Sequence, residues 1–93
     1  MTPPPIRELG LDVELLRVLV RTGRLVRVSD DFVYLPEETV RMIEVMRSLG
    51  GPFSVSDFRQ KAGISRKHAV PFLEYTDRES VTARNGDLRT VRN

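Results

Sequence analysis

Apolar residues recur at helical spacing in several stretches of this chain, and between them lie short runs rich in β-branched and aromatic residues. The first helical stretch places Leu15, Leu16, Leu19 and Val20 on one side and Arg17 and Arg21 on the other. Asp12 supplies a cap in front of it and Gly23 a stop behind it. Leu25 to Val28 and Phe32 to Leu35 then read as two strands joined through Ser29, Asp30 and Asp31, so this part of the chain predicts a helix followed by a hairpin. Pro36 closes the second strand and suits the first turn of another helix, where Glu37 and Glu38 lie at the positive end of the helix dipole. Val40, Ile43, Met46 and Met42 repeat along that helix, predicted over 37–48, until Gly50 and Gly51 end it.

The rest of the chain is denser in signals. A short strand is predicted over Phe53 to Val55, and a brief helix capped by Ser56, carrying Phe58 and ending near Gly63, follows it. Ser65 is the natural N-cap of the next helix, whose first turn holds Arg66, Lys67 and His68 and whose inner face is drawn by Ala69, Phe72, Leu73 and Thr76. Pro71 falls inside it, which removes the hydrogen bond to the carbonyl of Lys67 and predicts a kink. Val81 to Arg84 and Leu88 to Val91 flank Asn85-Gly86, a pair suited to a type I′ hairpin. Pairing about that turn sets Arg84 opposite Asp87 and Thr82 opposite Arg89, with Val81, Ala83, Leu88 and Thr90 directed to the core.

The order helix, strand, helix, helix, hairpin is that of a winged helix, a helix-turn-helix pair closed by a β wing. The fold class expected is therefore mainly α with small β-hairpins. Residues 36–93 make one complete unit, and residues 1–35 read as a partial winged helix, a helix plus hairpin in front of it.

Composition narrows the function. The chain of 93 residues has no cysteine and one histidine, so a disulfide framework, a thiolate metal site and a histidine cluster are all excluded. Its N-terminus lacks the charged and apolar regions of a signal peptide, and the longest apolar run is far too short to cross a bilayer, so a cytoplasmic chain is expected. Adjacent acids at Asp30-Asp31 and Glu37-Glu38 serve a turn and a helix start. Gly50-Gly51 lacks the spacing of a phosphate-binding loop. No enzyme and no cofactor are expected.

Charge points instead to binding. Residues 1–58 hold seven Lys and Arg against nine Asp and Glu, whereas residues 59–93 hold eight against four. A basic final third on a nearly neutral chain matches an electrostatic footprint for phosphate. Its centre is the helix start at Ser65, where outward-pointing amides meet Arg66 and Lys67. Cations there oppose the helix dipole at roughly 0.3–1 kcal/mol each, a local conflict that an arriving anion would remove. Arg84 and Arg89 on the wing complete the candidate RNA-binding set.

The segment G-I-S-R-K-H-A-V-P-F-L-E-Y-T-D-R, Gly63 to Arg78, followed by V-T-A-R-N-G-D-L-R, Val81 to Arg89, resembles the last winged-helix domain of the selenocysteine-specific elongation factors, the SelB family. The preceding G-P-F-S-V-S-D-F-R-Q and the odd Pro71 are similar to that pattern too, and Arg24 to Pro36 resembles the end of the penultimate winged helix. The resemblance implies a monomeric module that binds the selenocysteine insertion hairpin of mRNA, with Arg66 and Lys67 at the helix start and Arg84 and Arg89 in the wing. It further implies a parent protein whose GTP-binding domain, outside this chain, carries selenocysteinyl-tRNA to the ribosome. The sequence departs from the family pattern at Ser80, where glycine is usual, and at Ala83, where a second arginine is frequent. A winged-helix DNA-binding regulator shares the architecture, as does a protein-interaction winged helix that would bind no nucleic acid.

Overall fold

Polar side chains at the element ends decide where the helices begin. The computed structural model describes residues 5–10 and 12–92, so most of the proline-rich start lies outside the described residues. A short 3₁₀ turn over Ile6–Glu8 leads to α1 (Val13–Arg21), strands β1 (Val26–Arg27) and β2 (Val33–Tyr34), and helices α2 (Pro36–Ser48), α3 (Val55–Ala62) and α4 (Arg66–Arg78), before β3 (Thr82–Asn85) and β4 (Leu88–Val91). Asp12 caps α1 by accepting from the amide of Glu14 at 3.0 Å. Pro36 opens α2, as expected, with Glu37 and Glu38 in its first turn.

The start of α3 differs from the expectation. Ser54, not Ser56, is the N-cap: its hydroxyl accepts from the Asp57 amide at 3.0 Å and the Asp57 carboxylate accepts from the Ser54 amide at 3.0 Å. This reciprocal box satisfies two otherwise orphan donors, which is why the helix starts earlier and the strand predicted over Phe53 to Val55 shrinks. What remains is a single antiparallel bridge in which Phe53 and Arg89 exchange amide-to-carbonyl bonds of 2.9 Å.

The two hairpins are separate two-stranded sheets, β1 with β2 and β3 with β4. Between them the helices enclose one core, with Phe53, Phe58, Phe72, Met46, Leu73 and Val28 essentially without solvent contact. Phe72 of α4 lies at its centre, its ring 5.3 Å from Tyr34, 6.1 Å from Phe58 and 5.7 Å from Tyr75. Full burial of each such side chain stabilises the fold by about 1.5–3 kcal/mol. The inner face of α4 is the one its spacing predicts, with Ala69, Phe72, Leu73 and Thr76 all buried. The helix runs unbroken through Pro71.

Val28, Phe32 and Tyr34 of the first hairpin belong to this same core. Two helix faces keep most of their predicted residues, and each loses one to solvent. In α2, Thr39, Met42 and Met46 face inward at spacings of three and four, which leaves Val40 56% exposed. In α1, Leu16 is buried whereas Leu15 is exposed.

Two consequences can be measured. Ser80, between α4 and β3, has φ 61, in the left-handed region that favours glycine. Ser80→Gly should therefore raise stability by about 0.5–1 kcal/mol, the removed strain exceeding the added freedom of the unfolded chain, as read from urea unfolding. Tyr34 is almost fully buried, and loss of hydration, with the charge of Glu38 nearby, pushes its phenol from 10.0 up to about 12. Below pH 10 the phenol is neutral in folded and unfolded chains alike, but as pH rises from 10 to about 12 the unfolded chain releases a proton that the folded one retains. Stability should fall across that window, and Tyr34→Phe should fall less when the two are melted side by side.

Candidate nucleic-acid interface

The turn between α3 and α4 is three residues long. Gly63 takes φ 71 at the end of α3, a conformation open to glycine at no steric cost. Ile64 is buried beneath the turn and anchors it, and Ser65 begins α4. The two helices thus form a helix-turn-helix with α4 as its second, outward-starting member. Arg66 and Lys67 are both exposed in its first turn, which carries no acidic residue. Neither makes an ion pair or side-chain hydrogen bond among the described residues. The positive end of the helix dipole and two uncompensated cations therefore coincide at one point of the surface.

Ser65 occupies the N-cap position but does not cap. Its hydroxyl makes no bond to a helix amide and lies instead 3.0 Å from Nδ1 of His68. The amide of His68 is used by the carbonyl of Ser65 at 3.1 Å, so the amides left open at the helix start are those of Arg66 and Lys67. A serine N-cap bond normally stabilises a helix by about 1 kcal/mol, and α4 forgoes it. The His68 ring is half-buried and rests on Phe32, with ring centres 4.9 Å apart.

The wing departs from its predicted register. Its pairs are Thr82 with Val91, Ala83 with Thr90, Arg84 with Arg89 and Asn85 with Leu88, so the two-residue turn is Gly86-Asp87 and not Asn85-Gly86. Only Gly86 of the two turn residues takes a positive φ, 64, which fits a type II′ turn with glycine first and not the type I′ expected. The inward face is corrected as well. Thr82, Arg89 and Val91 turn toward the body of the domain, whereas Ala83, Asn85, Leu88 and Thr90 are exposed. The predicted core-directed residues Ala83, Leu88 and Thr90 thus lie outside, because the polar side chains on the other face find partners within the fold.

Those partners are on α4. Arg89 is 4% exposed, and its Nε and Nη2 each donate to Asp77 Oδ2 at 3.0 Å. The Thr82 hydroxyl donates to Asp77 Oδ1 at 2.6 Å and lies 3.0 Å from the Thr76 hydroxyl, which donates to the Leu73 carbonyl at 2.9 Å. Every buried side-chain N or O among the described residues has a partner. Arg89 therefore stands apart from the other four residues predicted to meet RNA: it joins the wing to α4 and is not a free cation of the wing. Arg84 is exposed, with its Nε donating to the Gly86 carbonyl at 2.9 Å, which holds it along the wing tip. The structure leaves Ser65, Arg66 and Lys67 together at the helix start and Arg84 exposed on the wing.

Sequence reasoning passed over Asp77 and paired no residue with His68. A signal was present for the first, since an acid in the last turn of a helix opposes the dipole and requires a compensating cation. Among the described residues no group of three or more His, Cys, Asp or Glu could hold a metal. No helix among them is long and apolar enough to cross a membrane.

A helix-turn-helix whose second helix starts at the surface, closed by a β-hairpin packed against that helix, defines the protein as a winged helix. The model of the family "Elongation factor SelB, winged helix" matches residues 44–91, and the chain belongs to that family. It is 35% identical over 82 residues to a selenocysteine-specific elongation factor of Desulfomicrobium baculatum, a match covering 85% of this chain and 13% of that protein. To the corresponding factor of Escherichia coli (strain K12) it is 30% identical over 93 residues, covering 92% of this chain. The chain spans only 13% and 15% of the length of these two relatives. Its fold is similar to that of the mRNA-binding domain of elongation factor SelB from E. coli, solved in complex with SECIS RNA, with a TM-score of 0.87 and 29% identity over 99% of this chain and 85% of that one. A bacterial selenocysteine-specific elongation factor, EF-Sec, gives a TM-score of 0.85 at 27% identity, with 95% of this chain and 15% of that chain covered.

The arrangement about Asp77 predicts a division between the two wing arginines. Arg89→Ala should cost about 2–3 kcal/mol, below the 3–5 of a fully buried pair because the Asp77 side chain keeps 25% of its exposure. Arg84→Ala should stay within about 0.5 kcal/mol of the parent in the same denaturant titration.

Proposed function

We propose that this chain is the RNA-binding module of a selenocysteine-specific elongation factor and tethers that factor to the selenocysteine insertion hairpin of an mRNA. The observation that supports the reading most directly is the start of α4, where Arg66 and Lys67, unpaired among the described residues, flank open helix amides. The similarity in fold to a SelB domain solved with SECIS RNA supplies the ligand class. Phosphates at a turn or bulge of the hairpin meet the amides of Arg66 and Lys67 and both side chains, with Ser65 beside them and Arg84 reaching a second stretch of backbone from the wing tip. Arg89 contributes by holding the wing at its angle to α4. The working unit comprises residues 36–93, preceded over 1–35 by the end of a neighbouring winged helix. In the parent factor a GTP-binding domain would carry selenocysteinyl-tRNA to the ribosome while this module holds the message; the chain itself performs no catalysis and acts as a monomer in the cytoplasm.

A-form RNA has a deep, narrow major groove that side chains cannot read, so recognition falls on backbone shape and unpaired bases. A stem-loop RNA with an unpaired base should bind at least about tenfold more tightly than duplex DNA of equal length at matched ionic strength. Replacing both Arg66 and Lys67 by Gln should weaken the RNA complex and reduce the slope of log affinity against log salt by about 2. Equal or tighter binding to duplex DNA would favour a DNA-binding regulator, and an unchanged salt slope would remove the helix start from the interface.

A further inference from the structure

The hydroxyl of Ser65 is placed where it would normally bond to an amide of its own helix, yet the structure turns it toward His68. His68 in turn is not free to swing. Its ring is half-buried and lies on Phe32, which is 4% exposed in the connection of the first hairpin, distant in sequence from α4. A second contact fixes the same hairpin to the other end of α4, where Arg78 Nη2 donates to the Val28 carbonyl at 2.6 Å. The chain of contacts Phe32, His68, Ser65 therefore begins in the buried core and ends at the exposed helix start.

We infer that His68 is a positioning residue of the RNA interface: seated on Phe32, it holds the Ser65 hydroxyl away from the first turn of α4 and so keeps the amides of that turn open for phosphate. The inference rests on the proposed binding at Arg66 and Lys67. Without His68 Nδ1, the Ser65 hydroxyl falls back on the ordinary cap, accepting from the open Lys67 amide, and competes with the phosphate for that donor. Stability and binding then move in opposite senses. An ordinary packing residue would move them together, and a residue that merely touches RNA would show no coupling to Ser65.

The test uses His68→Phe, which keeps an aromatic ring for Phe32 and removes Nδ1, alone and combined with Ser65→Ala, against the same stem-loop RNA. His68→Phe should melt no lower than the parent and bind about fivefold more weakly, the factor by which an N-cap bond favours the capped form. Adding Ser65→Ala to it should restore most of that loss, since the competing acceptor is gone. Unchanged RNA affinity in His68→Phe overturns the inference, as does a loss that Ser65→Ala fails to recover. The Arg66→Gln, Lys67→Gln variant measured alongside separates the two levels: if it binds like the parent, the helix-start reading itself is wrong, and if it weakens while His68→Phe does not, only the role of His68 is.

Discussion

The ion pair between Arg89 and Asp77 sets the relation between the wing and α4, and the binding face depends on that relation. Arg89 is a long cation with 4% of its surface exposed, and a charge so placed is tolerated only with a close, well-directed partner. Asp77 supplies two oxygens, one shared by two guanidinium nitrogens and the other taken by the Thr82 hydroxyl as well. The backbone of Arg89 is committed too, through its bridge to Phe53. One residue thus ties the last strand to the helix before the wing and to the segment that precedes α3. Its neighbour across the hairpin, Arg84, would repel it if both were free, and the commitment of Arg89 to Asp77 leaves Arg84 at the tip.

The helix start is built on the opposite logic. Where the wing base satisfies its buried polar groups, the first turn of α4 leaves the amides and side chains of Arg66 and Lys67 without partners among the described residues and forgoes a cap that its own serine could form. Local rules are broken at three successive residues, by the idle N-cap and by two cations at the positive end of the dipole. The stability for this comes from behind, where Ala69, Phe72, Leu73 and Thr76 are buried without exception. A rigid inner face allows an exposed end to keep an arrangement that is locally unfavourable.

The first hairpin takes part in this through packing and not through charge. Val28, Phe32 and Tyr34 fill the core, Phe32 carries His68, and the Val28 carbonyl receives Arg78 near the far end of α4. Both ends of the helix are therefore tied to the connection of the same hairpin. A hairpin with two residues in each strand would have little stability by itself, and it gains its order from these contacts.

Much of the architecture was legible in the chain: periodicity located α4 and its buried face, Asp12, Pro36 and Ser65 marked helix starts, and the basic final third singled out the region of Arg66 and Lys67. These are short-range matters, since capping, helical phase and turn residues act within a few positions of one another. What tertiary structure decided was which polar groups would find distant partners. Arg89 and Arg84 carry the same charge on the same face of one hairpin, yet Asp77, twelve residues from Arg89, makes one a strut and leaves the other exposed. Leu88 looked like a core residue and lies outside because Thr82 and Arg89 are satisfied within. Ser65 stands at the N-cap of α4 as expected, yet its hydroxyl caps no amide and lies against His68, whose ring rests on Phe32, far back in the chain. A sequence states what each side chain can donate, accept or bury, but the competition among possible partners is settled only when folding brings them within a few ångströms.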